Sequence, residues 1–415
     1  MGIASSTMSE TVISKSITYV VFLFAIVIIG ISVFSVIFPA LIISQTYEFP
    51  LDLDPFETSP WSLPIFFTAI SLLIFGFLHY KKKLPFSLSN AINLILNFEI
   101  SKKISIILGF SILVIYIGLS IPELFIDESE QWPDFLVLEE ALNIWPSTDH
   151  LSVYVKEQNT RYVRMILLDF SQELFQNIKL LPFVASIFTI VFTALITIQI
   201  SKKRFAGIIA MLVLLSSVTF TDFDTIAVYE NFWVLFYLIS LYSINKRWWH
   251  SSPITFILSV FSKAFVATYF WMNFFYIYRA TIPKRTKLFL FGSYGIMLGI
   301  TYWIFENGRS MIYDDIIRYD FNAFLDGFTG WGNSMQLDPF ALLFILPLTV
   351  MLFFKSRNGL KQADSILILL AGSILAGPLI SFVTDFYFIL PYRFIPFIIF
   401  MSIGVGLLFS KKINP

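Results

Sequence analysis

Runs of about 20 apolar residues recur along this chain, and a run of that length is what a helix needs to cross the hydrocarbon of a bilayer. Such runs lie near Ile17–Ser44, Ser62–His79, Ile104–Leu119, Leu180–Ile200, Phe205–Phe220, Asn231–Ile244, Leu288–Ile304, Phe340–Phe354, Ile366–Val383 and Phe394–Phe409. Hydrocarbon offers no partner to a backbone N–H or C=O, so a spanning segment folds as a helix or as part of a closed barrel. A barrel strand alternates apolar and polar residues, whereas these runs are continuously apolar. The expected fold class is all-α, a polytopic transmembrane helix bundle of about 10–12 spans. Only 13% of residues are charged, roughly half the share in a soluble domain. That balance excludes a soluble enzyme and a disordered chain. The lack of cysteine excludes a disulfide scaffold and a zinc–cysteine centre.

One further apolar stretch, Ile254–Tyr278, contains Lys263 and has basic flanks at both ends. It reads as two short helices in a hairpin or as a re-entrant element. With the hairpin spanning, the chain crosses twelve times; without it, ten. Either number is even, so both termini face one side. The first run is too long for the apolar part of a signal peptide and lacks a basic segment before it. It reads as a retained membrane helix.

The charges orient the bundle. With the N-terminus in the cytoplasm, the inner segments hold 20 of the 28 basic residues, among them Lys81-Lys82-Lys83, Lys202-Lys203-Arg204 and Lys284-Arg285. The other side takes 25 of the 28 acidic residues, leaving only Glu10, Glu99 and Asp364 inside. Lys and Arg in short loops set topology, and every short loop here agrees. Both termini are therefore expected in the cytoplasm. No retention or transit signal is present, which favours a prokaryotic plasma membrane.

The acidic side carries two long loops, about 123–179 and about 305–338. Loops held by a rigid scaffold are where sites usually lie. Within the first, Trp132–Ile144 and Tyr162–Ile178 place apolar residues at helical spacing, as helices lying in the interface do. The lysine-flanked Pro85–Glu99 segment reads as a third such helix on the inner side. Residues 1–101 read as a two-span N-terminal extension with that interfacial helix, and residues 102–415 as the main transmembrane core.

Nucleotide and hydrolase signatures are absent: no Walker A loop, no GxGxxG, no GxSxG and no HExxH occurs. Three histidines, His79, His150 and His250, do not make a metal cluster. Basic residues sit in small juxtamembrane groups that orientation explains, so no nucleic-acid role is indicated. The informative stretch is Phe125-Ile126-Asp127-Glu128-Ser129-Glu130-Gln131-Trp132, an acidic pair where the third span leaves the membrane. A second acidic group, Asp222, Asp224 and Glu230, precedes the aromatic run Asn231–Ser243. Pro391-Tyr392-Arg393-Phe394 opens the last span. Each group also has a plainer reading. Asp127 and Glu128 mark the water boundary of a helix, and Asp222, Asp224 and Glu230 belong to a polar loop. Arg393 snorkels to lipid phosphate, and Lys263 faces the cytoplasm from a shallow hairpin. Asp314-Asp315 with Arg318 and Asp320 reads as a polar loop helix, and Gly330-Trp331-Gly332 as a loop turn.

In order and side, these groups resemble the GT-C class of integral-membrane glycosyltransferases, mannosyltransferase-like members included, which use polyprenyl-phosphate sugars. The resemblance covers roughly residues 102–410. It rests on the acidic pair opening a long first loop with surface helices, the second acidic position, the paired short helices around Lys263 and the arginine before the last span. It departs in the two spans that precede the acidic loop and in the choice among three second acids. It implies a hexosyltransferase with Asp127 as catalytic base and Glu128 beside it. One of Asp222, Asp224 or Glu230 would hold acceptor, donor or a divalent cation, and Lys263 and Arg393 would bind the donor phosphate. The implied partners are a polyprenyl-phosphate-linked sugar, a lipid, glycan or protein acceptor, and membrane lipids. Two other functions fit the composition. A transporter or flippase for an amphiphilic substrate would show pseudo-symmetric halves about a midplane site, and a non-catalytic membrane subunit would show no site under the long loop.

Overall fold

A computed structural model describes residues 2–46, 54–129, 131–146, 161–308, 319–384 and 390–411. Among these residues the chain is all helix, with no strand. Among the described residues seven helices are long and apolar enough to cross a membrane: Ser14–Ile37, Ser62–His79, Lys102–Phe125, Leu180–Ser201, Lys284–Ile304, Pro339–Arg357 and Gln362–Val383. The chain is a multi-pass helical membrane protein. Three further apolar helices, Arg204–Leu215, Ser251–Ser262 and Pro391–Leu407, are shorter.

The shortening has local causes. The run near Phe205–Phe220 breaks at Ser216-Ser217, where the Ser216 hydroxyl donates to the Val213 carbonyl at 2.8 Å and ends the helix Arg204–Leu215. Such side-chain bonds compete with the helical ladder. The last run starts as a 3-10 turn, Pro391–Phe394, before the helix Ile395–Leu407, because Pro391 and Pro396 remove two backbone donors. The stretch Ile254–Tyr278 is a helix Ser251–Ser262, a 3-10 turn Ala264–Tyr269 and a helix Phe270–Arg279. Its break falls at Lys263, whose backbone is extended (φ −154°, ψ 109°).

The chain forms two compact units. Unit 1 comprises residues 1–101, 197–217 and 317–415, and unit 2 residues 102–196 and 218–316.

In unit 1 the helix Gly2–Ile37 packs on Phe321–Gln336, Pro339–Arg357 and Gln362–Val383, and Arg204–Leu215 packs on Ile395–Leu407. Lipid supplies no hydrophobic drive between helices, so small residues and interhelical hydrogen bonds hold such contacts. A Cβ on Gly332 would collide with Ser35 Oγ and lie 3.0 Å from the Ser32 carbonyl. The Ser35 hydroxyl lies 3.3 Å from the Phe328 carbonyl. Thr18 donates to Asp364 Oδ2 at 2.9 Å, joining the first helix to Gln362–Val383. Gly330-Trp331-Gly332 is therefore not a loop turn: it lies inside the helix Phe321–Gln336. Gly332 is the small residue that lets the helix Gly2–Ile37 approach. Asp320 caps the helix Phe321–Gln336, accepting from the amides of Asn322 and Ala323 at 2.8 and 3.2 Å. Asp314, Asp315 and Arg318 lie outside the described residues, as do parts of the loops 123–179 and 305–338.

In unit 2 the helix Phe232–Lys246 packs along Ser251–Ser262, which also meets Tyr162–Phe175 and Lys284–Gly308. Tyr294 sits at the centre of this group. Its hydroxyl lies 2.6 Å from Ser240 Oγ and 2.9 Å from Ser252 Oγ. The helix Lys102–Ser120 instead exposes Ile104, Ile106, Ile107, Phe110, Ile115 and Leu119, an apolar face suited to lipid. The amphipathic segments of the first long loop form the helices Asp134–Ile144 and Tyr162–Phe175, and the lysine-flanked segment forms Phe86–Asn97.

Candidate functional site

The helix Lys102–Ser120 tightens into a 3-10 turn, Ile121–Phe125, with Pro122 in its first positions. Ile126 is extended (φ −81°, ψ 134°), and the chain then turns at Glu128, whose carbonyl accepts the Gln131 and Trp132 amides at 3.1 and 2.8 Å. Asp127 is exposed, whereas Glu128 is 1% exposed. The Asp127 carboxylate accepts the Ser129 amide at 2.9 Å, and this bond holds its pKa below the usual carboxylate value. Glu128 turns inward and accepts the amides of Ala227 and Val228 at 2.6 and 3.2 Å. Burial raises its pKa, and the Ala227 amide opposes the shift most.

Two cations complete this arrangement. Arg164, on the buried face of the helix Tyr162–Phe175, donates to the Val228 carbonyl at 2.8 Å and forms an ion pair with Glu230 at 2.8 Å. Lys179 donates to the carbonyls of Glu123 and Ile126 at 2.5 and 3.2 Å and lies 3.9 Å from Glu128. It serves the end of the 3-10 turn as basic residues serve helix C-termini. Burial lowers its pKa, against the pull of Glu128.

The segment so held carries the other acids. Asp224 is 1% exposed. Its carboxylate accepts from the Ser120 hydroxyl at 3.1 Å, with the Tyr116 phenol beside it. Its backbone carbonyl accepts from Ser186 at 2.7 Å, and Ser186 in turn accepts from Asn231 at 3.0 Å. Burial, with the negative charge of Glu123 nearby, pushes the Asp224 pKa up to about 7. Glu230 is fully buried. Burial raises its pKa too, and the positive charges of Arg164, Lys263 and Arg161 act against that rise. Lys263 is 5% exposed. Asp222 is exposed at the end of the short helix Val218–Asp222.

Of the residues singled out in the sequence, the structure thus gathers Glu128, Asp224, Glu230 and Lys263 in one part of unit 2. Asp127 and Asp222 lie at its exposed margin. Arg393 belongs to unit 1, where it is buried and its Nε donates to the Tyr392 hydroxyl at 3.0 Å. Arg164, Lys179 and Arg161 are cations beside these acids that the sequence motifs do not single out. A signal for Arg164 existed: it stands four residues before Leu168, on the stripe that Met165 and Leu168 define, where a charge has to be paired.

Among the described residues no three His, Asp or Glu side chains converge as a metal cage would require. Glu230 is already neutralised by Arg164. These donors do not fit a divalent cation. What they can do is accept a proton at Asp224 near neutral pH. No family model matches the chain, and no curated protein or solved structure matches it either.

Proposed function

We propose that this chain is an integral-membrane glycosyltransferase of GT-C type, with its site in the unit 2 cluster. It would move a hexose from a polyprenyl-phosphate donor to a lipid, glycan or protein acceptor. The basic loops orient that cluster to the extracytoplasmic face, with both termini in the cytoplasm of a prokaryotic cell.

The observation that carries this reading is the pairing of buried Asp224 with a nearby buried ion group. Arg164, Lys263 and Arg161 all act on the carboxylate of Glu230, so cations gather where a phosphate head group would sit while its lipid tail stays in the bilayer. Asp224, with a pKa of about 7, has the basicity that suits proton transfer near neutral pH. The acceptor hydroxyl oxygen would form a bond to the anomeric carbon, and its proton would pass to Asp224. The carbon–oxygen bond to phosphate would break, and polyprenyl phosphate would leave with the electron pair. The transition state is oxocarbenium-like, by analogy with glycoside hydrolysis. Lys263 would stabilise charge developing on the leaving phosphate, most strongly where water is excluded. Asp127, the base that the sequence resemblance implies, is exposed and its pKa is lowered, so Asp224 takes precedence. Glu128 and Arg164 act as positioning residues.

The test is sugar transfer in membranes expressing the wild type, Asp224→Asn or Asp127→Asn, with labelled polyprenyl-phosphate hexoses and a mixed acceptor extract. Transfer by the wild type and Asp127→Asn, but not Asp224→Asn, is expected. Loss only in Asp127→Asn would return the base to that residue. Absence of transfer by the wild type across all donors would sink the glycosyltransferase reading.

A further inference from the structure

A corner on the basic side of unit 1 is built from residues that the transfer site does not use. The interfacial helix Phe86–Asn97 ends there and the helix Arg204–Leu215 begins. Lys203 is 5% exposed. It gives one of its three ammonium hydrogens to the Leu96 carbonyl at 2.8 Å, a group that the helix end leaves without a partner in its own ladder. Glu99 Oε1 accepts the amides of Ile100 and Arg204 at 3.2 and 3.1 Å. The Lys411 amide donates to the Ser201 carbonyl at 3.1 Å, which brings a third segment to the same corner.

Charge and apolar surface meet at this place. Lys203, Arg204 and Lys411 lie around the single carboxylate of Glu99. Burial lowers the Lys203 pKa, the charge of Glu99 opposes that shift, and the like charge of Lys411 adds to it, so these groups are near neighbours. The side chains of Arg204 and Lys411 are exposed. Beside them runs a row of rings: Phe98 meets Phe205 edge-on at 4.9 Å, and Phe205 meets Phe409 edge-on at 5.5 Å. Phe98 is 46% exposed. The helix Phe86–Asn97 buries no residue in the protein and leaves Leu88 and Ile95 exposed, which suits the head-group and acyl boundary of a bilayer.

We infer that this corner holds one anionic phospholipid from the leaflet on the basic side. Arg204 and Lys411 would take the lipid phosphate, Arg204 through its planar fork, and Phe98 and Phe205 would take the first part of the acyl chains. Lys203 would keep the end of the interfacial helix in place. The rings make the fit a lipid's, because a free phosphate would use the cations alone. The excess of cations over the one carboxylate selects charge, because a zwitterionic head group brings a cation of its own. Bound there, the lipid would fasten the interfacial helix to the bundle. The inference stands apart from the glycosyltransferase reading.

The experiment counts lipids on the purified full chain in detergent by native mass spectrometry, with phosphatidylglycerol and phosphatidylcholine of the same acyl chains titrated in turn. Wild type is compared with Arg204→Gln/Lys411→Gln and with the control Lys82→Gln/Lys83→Gln, each checked for a wild-type elution profile. The control removes as much charge beyond the far end of the interfacial helix, about 18 Å away by helix rise. The expected result is saturable binding of one phosphatidylglycerol, at least about tenfold tighter than phosphatidylcholine. Arg204→Gln/Lys411→Gln should bind it about thirtyfold more weakly, and the control should match the wild type. Equal binding of the two lipids, unchanged binding in Arg204→Gln/Lys411→Gln, or the same loss in the control overturns the inference. Displacement of the lipid by inorganic phosphate at matched concentration also overturns it, since that would make the corner a plain anion site. Should the double variant fail to fold, Lys411→Gln alone replaces it, with binding expected about fivefold weaker and unchanged binding counting against the inference.

Discussion

Glu128 and Arg164 grip opposite edges of one stretch of backbone. Glu128 accepts the amides of Ala227 and Val228, and Arg164 donates to the Val228 carbonyl. A segment between two helices is thereby held through its main chain, leaving its side chains, Asp224 and Glu230 among them, at fixed positions. Arg164 has a double duty because its Nε also meets Glu230.

Removing that cation leaves Glu230 buried and unpaired. Breaking a buried ion pair from one side costs about 3–5 kcal/mol. Arg164→Met should lower the unfolding temperature in detergent sharply, and adding Glu230→Gln should restore much of the loss. Melting of Arg164→Met at the wild-type temperature would show that the pair contributes nothing.

The pH profile of transfer tests Asp224. A base acts only when deprotonated, and burial has raised this carboxyl to about 7. The rate should therefore be full above pH 7 and fall as the pH drops through it. Asp224→Asn should abolish that acid limb and lower the rate by about 10²-fold or more. A profile flat from pH 5 to pH 8 would remove Asp224 from the chemistry.

Lys263 is tested through the donor. Hydrogen bonds to charged groups contribute about 1.5–3 kcal/mol, so Lys263→Gln should reduce kcat/KM for the polyprenyl-phosphate sugar by about 10–100-fold. Lys263→Arg should recover part of it, and acceptor KM should stay near wild type. The resemblance gives Arg393 the same duty, and Arg393→Gln measured alongside shows whether it has one. An unchanged donor kcat/KM in Lys263→Gln would locate the phosphate elsewhere.

Two glycines separate close packing from open surface. Gly332→Ala sets a Cβ against Ser35 and the Ser32 carbonyl and should destabilise unit 1 by about 1–3 kcal/mol, as overpacking does. Gly295 has nothing within 4 Å of its would-be Cβ. There, alanine should be neutral or stabilise by up to about 1 kcal/mol through helix propensity. Thermal melting of the two variants distinguishes them; equal behaviour would contradict the close approach at Gly332.

The spans were legible because apolar length is a one-dimensional property. The segments Pro85–Glu99 and Trp132–Ile144 were readable from their spacing to within a residue or two of the helices Phe86–Asn97 and Asp134–Ile144. The break at Lys263 was readable because a charge interrupted an apolar run. Which member of Asp127-Glu128 turns inward was not readable. Glu128 turns inward to meet amides 99 and 100 residues further along the chain, and nothing local announces them. Nor was the pairing of Arg164 with Glu230, since it joins residues 66 positions apart in sequence. The serine and proline breaks that shorten the runs near Phe205 and Phe394 were visible as residues. Their effect depends on which backbone groups they leave to be paired.

Unit 1 draws on chain segments that are made at very different times. The helix Gly2–Ile37 packs on Gln362–Val383, and chains grow at about 5–20 residues per second. The opening helix therefore sits in the bilayer on the order of half a minute before its partner is synthesised. Through that interval Thr18 is without Asp364, and Ser35 without the Phe328 carbonyl it comes to face. The residues of unit 2 are all translated sooner. Biogenesis thus passes through a stage with one unit complete and the other open. During it Thr18 and Ser35 have only their own helix to bond to, at the Ser14 and Ser32 carbonyls.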